Sequence, residues 1–106
     1  MKATILHNPR CSKSREALAI LHEVGVEVTV IDYLKHPPTR DELAGLYARA
    51  GTSPRDGLRK DAPAVADDAA ALDLMVRDPS TIERPLVATD KGVRLGRPPS
   101  AIRAIL

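Results

Sequence analysis

Apolar and polar positions over the first part of the chain predict a strand, a helix and a second strand. The run Lys2–His7 is short, mostly apolar and partly β-branched, which favours a strand. From Ser12 to Val24 the apolar residues recur at helical spacing, and Gly25 follows where a left-handed C-cap residue is expected. The β-branched run Val26–Ile31 completes a βαβ unit, so the two strands are expected to be parallel, with a right-handed crossover.

A helical middle segment is predicted from about residue 39 to about residue 78. Thr39–Glu42 has the sequence of a capping box, which places the start of a helix there. A short helical turn is expected from Ser53 to about Arg59, and a further helix over Asp68–Arg77. We interpret this segment as a helical insertion between the second and third strands of a single domain, residues 1–106.

The last part of the chain has the pattern of a β-hairpin followed by a helix. Leu86–Thr89 and Val93–Leu95 are short apolar runs on either side of the turn Asp90-Lys91-Gly92, and Pro99–Leu106 is predicted as a terminal helix. A parallel pair, then an antiparallel pair, with helices on the faces, is typical of the thioredoxin-like α/β fold. We therefore predict a four-stranded mixed sheet of that type.

Composition removes several classes of function. The 106 residues suit one domain, and 16 Lys and Arg against 14 Asp and Glu give a net charge of only +2. That balance does not favour nucleic acid, and charged residues interrupt every apolar run before it reaches the length of a membrane span. Nucleic-acid and membrane partners are therefore not expected, and the cytoplasm is the expected location.

Cys11, the only cysteine, lies between the first strand and the first helix. A cysteine at a helix start is exposed to free N–H groups and to the positive end of the helix dipole, which favour the thiolate. Three cations flank it in sequence, Arg10, Lys13 and Arg15, and their charges are expected to favour the thiolate as well. A lone cysteine is more often a small buried apolar side chain, but this position favours a nucleophile at an anion-binding helix start.

The cysteine count also limits the chemistry. An internal disulfide is impossible with one cysteine, so any resolving thiol must be external. No second soft ligand lies near Cys11 in the sequence, and His22 and His36 are expected to face solvent, so a metal site is not expected.

Several short blocks occur in the order found in one known family. They are Asn8-Pro9-x-Cys11-x-x-Ser14-Arg15, Tyr33-Leu34, Pro37–Leu43, Leu58-Arg59-Lys60, Arg84-Pro85 and Arg97-Pro98. In these blocks, from about His7 to Leu106, the chain resembles the glutaredoxin-coupled arsenate reductases, which have the thioredoxin-like fold. Several blocks matching in order make a specific signal, whereas each block alone is weak.

The resemblance implies an activity and a set of roles. Cys11 would attack arsenate, and Arg59, Arg84 and Arg97 would hold the oxyanion. Ser14, at the helix start, is expected to help bind the anion and stabilise the thiolate. Glutathione as co-substrate would then displace the arsenic, glutaredoxin would complete the reduction to arsenite, and no bound cofactor is implied.

Four further residues are expected to support this site. In the family a histidine at the position of His7 lies near the cysteine, where it either modulates the thiol pKa or satisfies the strand end. Asn8 and Arg15 belong to the same loop block. Thioredoxin-like folds place a cis proline beside the active cysteine, at the position of Pro85, whose backbone would bind an extended thiol peptide such as glutathione.

The chain also departs from the family. Ser12-Lys13 stands where the reductases usually carry Gly-Thr, so the anion loop is bulkier and more cationic. Residues 61–71 form a shorter stretch than their family counterpart.

Two alternatives stay open at the level of sequence. A glutathione-dependent thiol oxidoreductase of another substrate would keep Cys11 and Pro85 without needing all three arginines. An Spx-like regulator that binds RNA polymerase would share the fold, but Ser14 replaces the second cysteine of the redox switch that is typical of that branch.

Overall fold

A four-stranded sheet with the order β2-β1-β3-β4 forms the centre of the computed structural model, which describes residues 1–106. β1 pairs in parallel with β2 and antiparallel with β3, and β3 pairs antiparallel with β4. The mixed four-stranded sheet predicted from the sequence is confirmed. The strands are β1 (Lys2–His7), β2 (Glu27–Asp32), β3 (Leu86–Thr89) and β4 (Gly92–Leu95).

Three α-helices cover the sheet, and short 3₁₀ helices join or follow them. The α-helices are α1 (Ser12–Val24), α2 (Arg40–Ala50) and α3 (Asp68–Arg77), and the 3₁₀ helices are Pro54–Gly57, Pro79–Thr81 and Pro99–Ile105. The predicted terminal helix is thus of the tighter 3₁₀ type, and its last turn is fixed by the Thr89 hydroxyl, which donates to the Ile105 carbonyl oxygen at 2.7 Å.

The capping residues predicted for the ends of the first two helices are confirmed. Thr39 and Glu42 form a reciprocal capping box at the start of α2. Gly25 and Gly51 end α1 and α2 in the left-handed conformation, with φ of 85° and 65°. Glycine suits such positions because it has no Cβ to clash there.

The core lies on both faces of the sheet because successive side chains of a strand point to opposite sides. Ile5 and Val87, paired across β1 and β3, pack towards α1 and the terminal 3₁₀ helix. Leu6 and Leu86, the next pair, pack towards α2 and α3. Both faces are covered, and the loop that follows β1 lies beside the start of β3.

The β3–β4 hairpin places two arginines side by side. Leu86 pairs with Leu95 at the open end of the hairpin. Two residues beyond this pair, Arg84 and Arg97 lie opposite each other, and Arg97 Nε donates a hydrogen bond to the Arg84 carbonyl oxygen at 2.7 Å. The register of a hairpin thus brings together two cations that are distant in sequence.

Each of these arginines precedes a proline, and the Arg84–Pro85 and Arg97–Pro98 peptide bonds are both cis. The cis form was expected for Pro85 only. Gly96 donates its N–H to the Pro85 carbonyl oxygen at 2.8 Å, and a Cβ at Gly96 would lie 2.7 Å from the Pro85 ring. A glycine is therefore required where β4 leaves the sheet.

Gly57→Ala is expected to lower the free energy of unfolding by about 1–3 kcal/mol, as overpacking of a core typically does. A Cβ at Gly57 would lie 2.7 Å from the phenol oxygen of Tyr47, whose side chain is 3% exposed and has no room to move away. Urea unfolding monitored by circular dichroism measures the change.

The matched control is Gly45→Ala in the interior of α2, where no atom lies within 4 Å of the added Cβ. This variant is expected to gain about 0.5–1 kcal/mol from helix propensity. Wild-type stability in Gly57→Ala would contradict the close packing of Tyr47.

Candidate active site

Cys11 occupies the N-cap position of α1, directly after the loop that leaves β1. Its backbone is extended, with φ −92° and ψ 121°, and its side chain is 7% exposed. The N–H groups of Lys13 and Ser14, in the first turn of the helix, face the sulfur and lower the pKa of the thiol. The first turn contains no acidic residue, so nothing there opposes a negative charge on the thiol.

The pKa of Cys11 lies below the ordinary value for a thiol. Burial alone would raise the pKa, but it is outweighed by the Ser14 N–H, the Arg84 charge, the Lys13 N–H and the Arg97 charge. Of the two arginines, Arg97 hydrogen-bonds to the thiol, with Nη2 3.5 Å from Sγ. The site therefore favours the thiolate, which is the nucleophilic form.

The source of this effect differs from the prediction. The flanking cations Arg10, Lys13 and Arg15 were expected to act through their charges, but the cations that lower the pKa are two arginines from the far end of the chain. Arg15 instead donates a hydrogen bond from Nη1 to the Pro9 carbonyl oxygen at 2.9 Å and so stabilises the loop between β1 and α1. Charges that are adjacent in sequence are not the ones that face the sulfur.

His7, Asn8 and Ser14 form a buried hydrogen-bonded group beneath the loop. Ser14 Oγ lies 2.6 Å from His7 Nδ1 and accepts the Asn8 backbone N–H at 3.0 Å. Burial lowers the pKa of His7, which favours the neutral imidazole. His7, at the end of β1, therefore serves as a hydrogen-bond partner of the buried Ser14 hydroxyl.

This arrangement corrects the expectation for Ser14. Its hydroxyl was expected to help hold the oxyanion, but the side chain is fully buried and is occupied by His7 and Asn8. Its backbone N–H is the group that faces the Cys11 sulfur.

Arg59, Arg84 and Arg97 line one cavity of about 570 Å³, and two of them, Arg84 and Arg97, also act on the Cys11 thiol. Arg59 follows the 3₁₀ helix Pro54–Gly57, and its backbone N–H donates to the Thr81 carbonyl oxygen at 2.8 Å. The structure therefore brings the three predicted arginines together from separate segments. The other residues of the lining are Asp56, Leu58, Lys60, Asp61, Glu83 and Leu95.

Carboxylates accompany these arginines. Arg59 Nε lies 3.3 Å from Asp61 Oδ1, at the exposed side of the cavity. Glu83 Oε1 lies 3.5 Å from Arg84 Nη1 and 3.3 Å from Arg97 Nε. The Nε of Arg84 is buried and has no hydrogen-bond partner, which leaves an unsatisfied donor beside the cavity.

A larger groove of about 720 Å³ lies between α2 and the sheet. Its floor is mostly apolar and includes Leu6 and Leu86, while its charged residues include Asp41, Glu42 and Arg49. It holds neither a cysteine nor a cluster of cations, so the chemistry of the chain centres on the smaller cavity beside Cys11.

Sequence reasoning missed two residues of the site. Glu83 was not recognised, although it directly precedes the Arg84-Pro85 block. Tyr33 was named only as part of the Tyr33-Leu34 block, without a role at the site. Its side chain is buried, burial raises its pKa, and a hydrogen bond with the Asn8 side chain partly offsets this effect.

Two further findings concern metals and membranes. No three His, Cys, Asp or Glu side chains lie close enough together to hold a metal ion. None of the helices combines the length and the apolar character that crossing a membrane requires.

Known proteins similar to this chain match nearly all of it. The model of the ArsC family matches residues 6–105. An arsenate reductase of Rhizobium meliloti is 39% identical over 115 residues, covering 100% of this chain and 82% of that protein. An arsenate reductase of Escherichia coli is 41% identical over 112 residues, covering 97% of this chain and 79% of that protein.

The fold comparison agrees with the sequence comparison. The structure of an arsenate reductase from Vibrio cholerae superposes with a TM-score of 0.92 at 37% identity, covering 100% of this chain and 98% of that one. The similarity therefore extends over the whole sheet, its helices and the loops that carry the site.

Proposed function

The chain belongs to the ArsC family, and from this premise we propose that it is an arsenate reductase in which Cys11 is the nucleophile. One observation carries the proposal: the only cysteine, with a lowered pKa, lies 3.5 Å from Arg97 beside a cavity lined by three arginines. Arsenate is a multiply charged anion, and several fixed cations are needed before a thiolate can approach it.

In the proposed first step, the Cys11 thiolate attacks the arsenic atom. The sulfur lone pair forms the S–As bond while one As–O bond breaks, and the departing oxygen leaves as water once protonated. Arg84 and Arg97 offset the negative charge of thiolate and anion together, which lowers the barrier to their meeting. The Lys13 and Ser14 N–H groups stabilise the same charge from the helix side.

In the proposed second stage, external thiols supply the two electrons that convert arsenic(V) to arsenic(III). With a single cysteine, the chain has no thiol of its own for this step. We propose glutathione as the co-substrate and glutaredoxin as the protein that completes the reduction, in the cytoplasm, where thiols are kept reduced. Binding of glutathione along Pro85 stays a prediction. The Pro85 carbonyl oxygen already accepts the Gly96 N–H, so a bound peptide would share this acceptor.

The direct test is arsenate-dependent oxidation of NADPH in the presence of glutathione, glutaredoxin and glutathione reductase. Turnover that needs both arsenate and glutaredoxin is expected, and replacing glutaredoxin with thioredoxin tests the coupling. If no arsenate-dependent turnover occurs while iodoacetamide still alkylates Cys11 rapidly at neutral pH, the thiol serves another substrate. The glutathione-dependent oxidoreductase would then replace the arsenate reductase as the conclusion.

Arg59→Ala is expected to raise the KM for arsenate about tenfold, because one charge-assisted contact to the anion is lost. Arg59 is not among the groups that lower the Cys11 pKa, so the pH midpoint of alkylation should stay unchanged. Steady-state kinetics and the pH dependence of iodoacetamide labelling measure the two effects.

The control is Arg55→Ala, an exposed arginine of the 3₁₀ helix Pro54–Gly57 that does not line the cavity. It should leave the KM for arsenate unchanged. A wild-type KM in Arg59→Ala would mean that Arg59 makes only its surface ion pair with Asp61 and does not bind arsenate.

A further inference from the structure

Glu83 puts a carboxylate inside the cationic cavity. Its side chain is 15% exposed and lines the cavity together with the three arginines. Its backbone is held by the Gly57 carbonyl oxygen, which accepts the Glu83 N–H at 2.9 Å. The carboxylate is therefore a fixed part of the cavity wall rather than a mobile surface group.

The two oxygens of this carboxylate have different surroundings. Oε1 lies between Arg84 Nη1, at 3.5 Å, and Arg97 Nε, at 3.3 Å. Every hydrogen bond and ion pair of the Glu83 carboxylate uses Oε1, so Oε2 keeps its full capacity to accept a hydrogen bond from a ligand. Arg97 Nη2 remains directed at the Cys11 sulfur.

A carboxylate in an anion site distinguishes anions by their protons. An oxyanion without a proton presents only negative oxygens, which Glu83 repels. An oxyanion with an O–H group can donate to Oε2 while its other oxygens accept from the arginines. Arsenate and phosphate keep at least one proton at neutral pH, whereas sulfate has none.

We propose that Glu83 is a specificity-determining residue, which makes the site select oxyanions that carry a proton and reject sulfate. The inference rests on the proposed function, because it concerns the same anion site. It assigns to Glu83 the contact with the protonated oxygen and to the arginines the contacts with the unprotonated ones. Discrimination between the anions then has two sources: the hydrogen bond that a protonated oxyanion donates to Glu83, and the repulsion between Glu83 and sulfate.

The test measures how well phosphate and sulfate protect Cys11 from iodoacetamide at neutral pH. Phosphate serves as the unreactive probe for protonated oxyanions, and iodoacetamide is neutral, so its own approach does not depend on the charge of the cavity. In the wild type, phosphate is expected to protect at a lower concentration than sulfate. Equal protection by the two anions in the wild type would overturn the proposal without any variant.

Glu83→Gln keeps the side-chain length and one acceptor oxygen but removes the negative charge. The ratio of the sulfate to the phosphate concentration needed for half-protection is expected to fall about tenfold, mainly because sulfate binds better. An unchanged ratio, with phosphate still protecting, would overturn the inference while leaving the anion site in place.

The matched control is Asp61→Asn, which removes a carboxylate from the same cavity. Asp61 pairs with Arg59 but is 74% exposed, so water screens its charge and can solvate an anion beside it. Both half-protection concentrations should shift together, and their ratio should stay within about twofold. A change in the ratio as large as in Glu83→Gln would assign the selectivity to net charge and overturn the specific role of Glu83.

The inference and the proposed function fail in different ways. Absence of arsenate turnover, with the expected protection pattern, would remove the reductase activity but keep the selectivity of the site. Failure of both anions to protect Cys11 would overturn the anion site and the inference with it.

Discussion

Cys11→Ser is expected to lower arsenate turnover at least about a thousandfold, because a serine hydroxyl at neutral pH is not ionised and cannot replace the thiolate nucleophile. The anion cavity remains, since all three arginines lie outside the substituted loop. The measurement is the NADPH-coupled assay with wild type and variant at equal concentration.

The fold of this variant should be intact or slightly more stable. Cys11 is the N-cap of α1 and its side chain makes no capping hydrogen bond. Serine is a preferred N-cap residue, so the substitution is expected to add up to about 1 kcal/mol to the free energy of unfolding. Activity above one tenth of wild type in a folded Cys11→Ser protein would refute the nucleophile.

Arg97→Gln is expected to lower kcat/KM for arsenate about a hundredfold, because it removes a charged donor aimed at the reacting sulfur and the anion. It should also raise the pKa of Cys11, since the Arg97 charge is one of the causes of the lowered value. A higher pKa leaves less thiolate at neutral pH. Alkylation by iodoacetamide should therefore slow at pH 7 and reach the wild-type rate only at high pH.

Two variants separate charge from geometry. Arg97→Lys keeps the charge but loses the planar fork, so the alkylation midpoint should stay near wild type while arsenate kinetics worsen. Arg94→Gln removes an exposed arginine of β4 that bonds only to the Val93 carbonyl oxygen, and it should change neither quantity. An unchanged alkylation midpoint in Arg97→Gln would show that this arginine does not stabilise the thiolate.

Local patterns predicted most of the fold because the information for each element is short-range. The bounds of β1 and α1 follow from apolar spacing and from Gly25, and the start of α2 follows from the Thr39 capping box. The same spacing does not distinguish an α-helix from a 3₁₀ helix over so short a segment as Pro99–Ile105.

The site was predictable where it depends on strand register. Arg84 and Arg97 lie two residues outside the paired ends of β3 and β4, so a correct hairpin already places them together. The resemblance to arsenate reductases named the same residues from sequence blocks. The hairpin supplies the physical reason that the blocks belong to one site.

The other features of the site depend on long-range contacts, which the spacing of residues in the sequence does not reveal. Ser14 was expected to face the anion, but its hydroxyl turns inwards to His7, seven residues earlier in the chain. Glu83 was not recognised in the sequence, because only the fold places its carboxylate between Arg84 and Arg97. Long-range packing decides which of several nearby polar side chains face the cavity.

The origin of the Cys11 electrostatics has a consequence for protein synthesis. Cys11 leaves the ribosome early, whereas Arg84 and Arg97 are translated much later and reach the thiol only when β3 has paired with β1 and β4 with β3. A nascent or truncated chain that lacks this hairpin therefore carries a thiol whose thiolate form is not stabilised by the two arginines. Completion of the sheet by the last two strands is therefore also the step that gives the nucleophile its full thiolate character.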